Sequence, residues 1–172
     1  MVRLKQRYIL FDILTPPTSV IPSSPEDTLV ALCQASPASI TPKLISQVIR
    51  KLIQDNYGDF GLGMASMLVA VKYFNNRTSL GIIRCSRQSF PLVMASLTLT
   101  ERIADHPVLI RCVHVSGTIK KCEEFAIQKN RAIIAALSTK AKKTNKKYDN
   151  VINNFKEEAK TGALLNLDDH EE

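Results

Sequence analysis

The chain has 172 residues, an apolar fraction of 45% and a net charge of +7. That is enough chain for one domain around one core. No apolar run approaches the roughly 20 residues that span a bilayer. The charge is unevenly placed: residues 1–137 hold sixteen Lys and Arg against nine Asp and Glu, whereas residues 138–172 hold seven of each. The basic excess therefore belongs to the folded part and favours a polyanionic partner, most simply nucleic acid.

The N-terminal MVRLKQRYILFDIL has basic residues ahead of an apolar run, but Asp12 interrupts the run and Pro16-Pro17 closes it. Arg7 to Leu14 reads as a strand rather than a signal segment, and an intracellular chain is expected. Both alternating sets of this strand are largely apolar, which suits a central strand covered on both faces. Residues 15–40 hold five prolines and one apolar patch, Leu29 to Leu32. They read as a long connection with at most one helical turn.

Thr41-Pro42 supplies an N-cap hydroxyl and a proline at the first helical position. The stripe Leu44, Ile45, Val48, Ile49, Leu52, Ile53 predicts an amphipathic helix that stops near Asn56-Tyr57-Gly58. The glycine-rich stretch Gly58 to Gly63 then reads as a tight connection. Met67 to Phe74 and Leu80 to Arg87 are strands joined by the hairpin loop NNRTS. Ser89 and Pro91 open a second helix, expected from Phe90 to Ala104. Val108 to Val115 is a fourth strand, and a third helix is expected from Ile119 to about Leu137. From Ser138 the composition becomes lysine-rich, a weak amphipathic piece follows and the end is acidic, the pattern of a disordered or conditionally ordered tail.

The order is strand, helix, strand, strand, helix, strand, helix. Its first six elements give an α+β fold, the ferredoxin-like or RRM-like split βαβ sandwich (βαββαβ), over residues 1–137, with an additional C-terminal helix. Residues 15–40 are a Pro-rich connection within it, and residues 138–172 form the charged tail. The extra helix has apolar residues that need burial, either on the open sheet face or against a partner.

The sequence contains no GxSxG, HExxH or paired-carboxylate motif. Cys33, Cys85, Cys112 and Cys122 form no CxxC, and His106, His114 and His170 complete no zinc pattern, so the thiols read as reduced and structural. His114 lies inside a strand pattern and reads as a sheet residue. An ordinary RNA recognition motif stacks bases on aromatic residues of its central strands. The corresponding strand here, LGIIRCSRQ, lacks them. The strands instead carry Lys72, Arg84, Arg87 and Arg111 among apolar residues. Each needs a carboxylate, a phosphate or an edge position, since burying a lone cation is costly. Lys120 and Lys121 open the third helix, where the positive end of the dipole favours anions over cations. They form either a phosphate site or two solvated side chains.

RYILFDI in the first strand, GIIRCSR in the third and VSGTIKKCEEFAI at the last strand–helix junction resemble the Pop-five subunit family of ribonuclease P and ribonuclease MRP. The resemblance covers about residues 1–155 in order and spacing, and it is closest to budding-yeast forms in MVRLK, KYF and the acidic end. It implies a non-catalytic subunit that binds the RNA of the particle. The RNA, with Mg²⁺, carries out the removal of 5′ leaders from precursor tRNA or the processing of rRNA, and the protein itself needs no cofactor. It further implies a TIM-barrel-like protein partner, in fungi a smaller structurally similar subunit, no membrane, and residence in the nucleus and nucleolus. Motif position and charge nominate Arg84, Arg87, Lys120, Lys121, Lys129 and Arg131 as RNA-facing, and leave the first and third helices for protein contact. The alternatives are another RNA- or ribosome-associated split βαβ scaffold, or a small ligand-binding or enzymatic domain on the same fold.

Overall fold

The computed structural model describes residues 5–16, 24–141 and 147–161. Its elements in chain order are β1 (Gln6–Leu14), α1 (Pro25–Leu32), α2 (Pro42–Ser66), β2 (Ala70–Asn75) and β3 (Leu80–Ser86). They are followed by α3 (Phe90–Thr98), β4 (Arg102–Ile103), β5 (His106–Pro107), β6 (Leu109–Ser116), α4 (Ile119–Ala141) and α5 (Lys147–Thr161). The main sheet has the order β2-β3-β1-β6 and is antiparallel throughout. This is the split βαβ arrangement, with β1 and β3 central.

The doubly apolar pattern of β1 has its counterpart in two cores. Ile9, Phe11 and Ile13 face Ile45, Ile49 and Ile53 of α2 and Val93 and Leu97 of α3. Tyr8 and Leu10, with Leu80 and Ile82 of β3, face Ile119, Cys122 and Ala126 of α4. The sheet is therefore enclosed on both sides, and α4 lies across the face that the four-stranded fold alone would leave open. Each fully buried aliphatic side chain at this contact contributes roughly 1.5–3 kcal/mol.

Four differences from the sequence reading have local physical causes. The Pro-rich connection contains an eight-residue helix, α1, capped by the Ser24 hydroxyl, which accepts from the Asp27 amide at 3.2 Å. Residues 17–23 of the connection lie outside the described residues. The first amphipathic helix does not end at Gly58. That residue breaks it with φ +61°, ψ −162°, and helix resumes to Ser66. Gly61 is needed there because a Cβ would lie 2.4 Å from Tyr57 Cβ. The second helix ends at Thr98 rather than Ala104, and the following residues form the small β4–β5 hairpin, whose turn holds Ala104 at φ 51°. Ile103, expected on that helix, is instead buried in the main core from β4.

The fourth difference is α5. Residues 147–161 form a helix where composition predicts a conditionally ordered tail. Tyr148, Val151, Ile152 and Phe155 pack with Val30 of α1 and Ile133 and Leu137 of α4 into a third apolar cluster. Glu158 is buried and accepts from the Tyr73 hydroxyl at 2.7 Å and from Asn130 Nδ2 at 3.0 Å. The Tyr148 hydroxyl donates to Asp27 at 2.7 Å, and Arg77 pairs with Glu157. Residues 142–146 of the lysine run and the acidic end, 162–172, lie outside the described residues.

Because α5 adds to a core that stands without it, Phe155→Ala should release it locally. Amide exchange over 147–161 should accelerate while β1 stays protected. Equal loss of protection in β1 would contradict this separation.

Candidate nucleic-acid interface

Antiparallel pairing brings the start of β1, the end of β3 and the end of β6 to one end of the sheet. Gln6 is opposite Ser86, Arg7 opposite Cys85, and Tyr8 opposite both Arg84 and Ser116. The Arg87 amide donates to the Lys5 carbonyl at 2.9 Å. An added Cβ on Gly117 would meet Arg7 Nη1 at 3.1 Å, so the Arg7 guanidinium lies at the mouth of α4. Lys120 and Lys121 follow in the first turn of α4, which carries no acidic residue. Lys5, Arg87, Lys120 and Lys121 are exposed, and Arg7 and Arg84 are half-buried. In the second turn Glu123 is buried and Glu124 exposed.

Four of the six nominated residues, Arg84, Arg87, Lys120 and Lys121, therefore share this end. The structure adds Lys5 and Arg7, whose only signal in the sequence is their position at the start of the first strand. Arg84 alternates with Leu80 and Ile82, so it lies on the α4 side of β3, beside Tyr8. Lys129 and Arg131 are elsewhere. Arg131 is exposed further along α4. Lys129 pairs with Asp12 and is 17% exposed.

Asp12 is the fixed point of the second face. Its carboxylate, 6% exposed, accepts from Arg111 Nε at 3.1 Å and Nη2 at 2.6 Å, and from Lys129 Nζ. One carboxylate thus ties β1 to β6 and to α4. Beside it a shallow, open groove of about 480 Å³ runs between β6 and α4, lined by Arg111, Val113, Phe125 and Lys129 among others. His114 stacks on Phe125 with ring centroids 4.5 Å apart. Among the described residues no cluster of His, Cys, Asp and Glu is placed to hold a metal ion.

The arrangement defines a class: a split βαβ protein with its sheet face closed by a helix and a group of six cations at one end of the strands. Comparison with known proteins supplies the family. The sequence profile described as the Rpp14/Pop5 family matches residues 7–127, and the chain belongs to that family. It is 40% identical over 173 residues to the ribonuclease P/MRP protein subunit POP5 of Saccharomyces cerevisiae, covering 98% of this chain and 100% of that one. The subunit of the same name from Schizosaccharomyces pombe is 42% identical over 141 residues, covering 80% and 94%. A chain of the yeast ribonuclease MRP cryo-EM structure matches 77% of this chain and 98% of its own length, with 16% identity and a TM-score of 0.42. That likeness is too distant to carry weight.

Two expectations follow. Asp12→Ala should cost about 3 kcal/mol or more, because it leaves the partly buried Lys129 uncompensated. Arg111→Ala, at a side chain 53% exposed, should cost under about 1 kcal/mol. Urea denaturation measures both, and equal costs would contradict the assignment of Asp12 as the fixed point.

The thiols behave differently from the cations. Burial pushes Cys85 up to about 12 and Cys112 and Cys122 up to about 11, from an ordinary value of 9.0. The folded state favours the neutral thiol, so this contribution to stability is complete below pH 9 and is lost as pH rises through 11 to 12. Iodoacetamide at pH 8 should label the buried Cys85 and Cys122 only as fast as the protein opens, and the half-buried Cys112, which lines the groove, sooner. Rapid labelling of Cys85 or Cys122 in folded protein would contradict that.

Proposed function

We propose that the chain is a non-catalytic protein subunit of ribonuclease P and ribonuclease MRP, and that its basic strand end lies on the phosphate backbone of the particle's RNA. The single observation that carries the RNA contact is the convergence of Lys5, Arg7, Arg84, Arg87, Lys120 and Lys121 at one end of the sheet. Family membership and the names of the fungal relatives support the place in the particle.

In this reading the protein contributes position and charge. Arginine forks and lysines neutralise phosphates and fix the RNA's path without reading bases. The covered face of the sheet removes the aromatic stacking mode of an RNA recognition motif. The RNA, with Mg²⁺, performs phosphodiester cleavage on precursor tRNA or rRNA, and the protein binds no cofactor of its own. A TIM-barrel-like subunit and, in fungi, a smaller structurally similar subunit join it, in the nucleus and nucleolus. Lys129 has a smaller part than its motif position suggests, since Asp12 already engages it.

A different RNA- or ribosome-associated scaffold would share the basic end. What favours the ribonuclease P/MRP reading is identity along nearly the whole chain to a subunit so named.

Binding to ribonuclease P RNA, followed by fluorescence anisotropy over a salt series, tests the contact. Affinity should fall steeply with salt. Lys120→Glu with Lys121→Glu should weaken binding and lower the log–log slope by about 1 for each phosphate that is no longer neutralised. The melting temperature should hold or rise, because two cations leave a helix N-terminus. A double variant that folds and binds with an unchanged slope would overturn the assignment.

A further inference from the structure

The cations gathered at the strand end repel one another in the isolated chain. Little nearby offsets them: in the first two turns of α4 the carboxylates are Glu123, which is buried, and Glu124. A counter-charge lies elsewhere in the sequence. Residues 162–172 carry Asp168, Asp169, Glu171 and Glu172 and no Lys or Arg.

The packing of α5 sets where that charge can go. α4 and α5 are antiparallel. Glu158, which accepts from Asn130, lies as far beyond Lys147 at the start of α5 as Asn130 lies before Ala141 at the end of α4, eleven residues in each case. The chain therefore leaves α5 at Thr161 travelling along α4 toward its first turn. The strands give the same direction. Glu158 also accepts from Tyr73, which pairs with Ile82. Arg84 and Arg87 lie further along from Ile82, toward the basic end. Thr161 is level with about residue 127 of α4, so Lys121 is about 9 Å further along the axis. The seven residues from 162 to 168 can reach about 23 Å when extended. Lys147, which borders the lysine run, opens the opposite end of α5, about 22 Å away.

We propose that the carboxylates of residues 168–172 pair with the strand-end cations of the same chain and compete there with RNA. The competition rests on the RNA reading above, whereas the pairing stands on charge and chain path alone. A counter-charge tethered in this way acts at roughly millimolar effective concentration. It excludes polyanions that hold the rim weakly and yields to one that neutralises more of the cations at once. The rim is thereby screened until the particle's RNA is present.

The test applies a carbodiimide, which condenses a carboxylate and a lysine in contact into an amide, to an equal mixture of isotopically light and heavy full chains. Peptides joining residues 168–172 to Lys5, Lys120 or Lys121 should appear within one label and should be lost on addition of ribonuclease P RNA. Replacing the four carboxylates (Asp168→Asn, Asp169→Asn, Glu171→Gln, Glu172→Gln) should tighten binding of a short uridine oligomer about tenfold at low salt, and the gain should shrink as salt rises. On the background of Lys120→Glu with Lys121→Glu the same replacements should gain about twofold or less. Crosslinks to other lysines, between labels or to nothing overturn the proposal, as does an equal gain on both backgrounds. A parent chain that binds RNA no better than the double lysine variant would sink the RNA assignment, and the crosslinks would still report the pairing.

Discussion

A central strand apolar on both sides must be covered on both sides, and most of this molecule follows from that requirement. In β1, Ile9, Phe11 and Ile13 are met by α2 and α3, while Tyr8 and Leu10 are met by α4. A single carboxylate then sets the placement of α4. Asp12, interrupting the same strand, fixes Lys129 of α4 and Arg111 of β6. Apolar burial supplies most of the attraction, and the carboxylate supplies the register.

Closing that face decides where a polyanion can be held. The broad platform that a four-stranded sheet of this order would offer is taken by Ile119, Cys122 and Ala126. What stays open is the rim. Antiparallel pairing collects there cations far apart in sequence, and Lys5, Arg87, Lys120 and Lys121 among them are exposed. Any affinity for nucleic acid at such a rim would be electrostatic, dependent on salt and tolerant of base sequence.

Much of this was legible in the sequence, for reasons that differ by element. The strands and the first and last long helices have strong periodicity or caps, and Thr41-Pro42 marks its helix start within a residue. The resemblance of RYILFDI, GIIRCSR and VSGTIKK to the Pop-five family identified a family that the comparison then bore out. The misses are places where a distant partner overrides local composition. Helices α1 and α5 are weak alone and form because Val30, Phe155 and Leu137 bury one another. Gly58 to Gly63 looks like a loop because glycine is read as a breaker, whereas Gly61 is there to let a helix pass Tyr57. The RNA-facing nomination split for the same reason. Charge and motif position nominated Arg84, Arg87, Lys120 and Lys121, which the strand pairing places at one end of the sheet, but only the register places Lys5 and Arg7 there with them, and only the packing shows that Lys129 has an internal partner.

The most direct measurement is RNA–protein crosslinking within the assembled particle, with the crosslinked peptides of this chain mapped by mass spectrometry. If the rim is the interface, crosslinks concentrate at residues 5–7, 84–87 and 117–121, and residues 60–67 and the outer face of α5 are free of them. Crosslinks concentrated on α5 or on residues 60–67, with the strand end silent, would contradict the account.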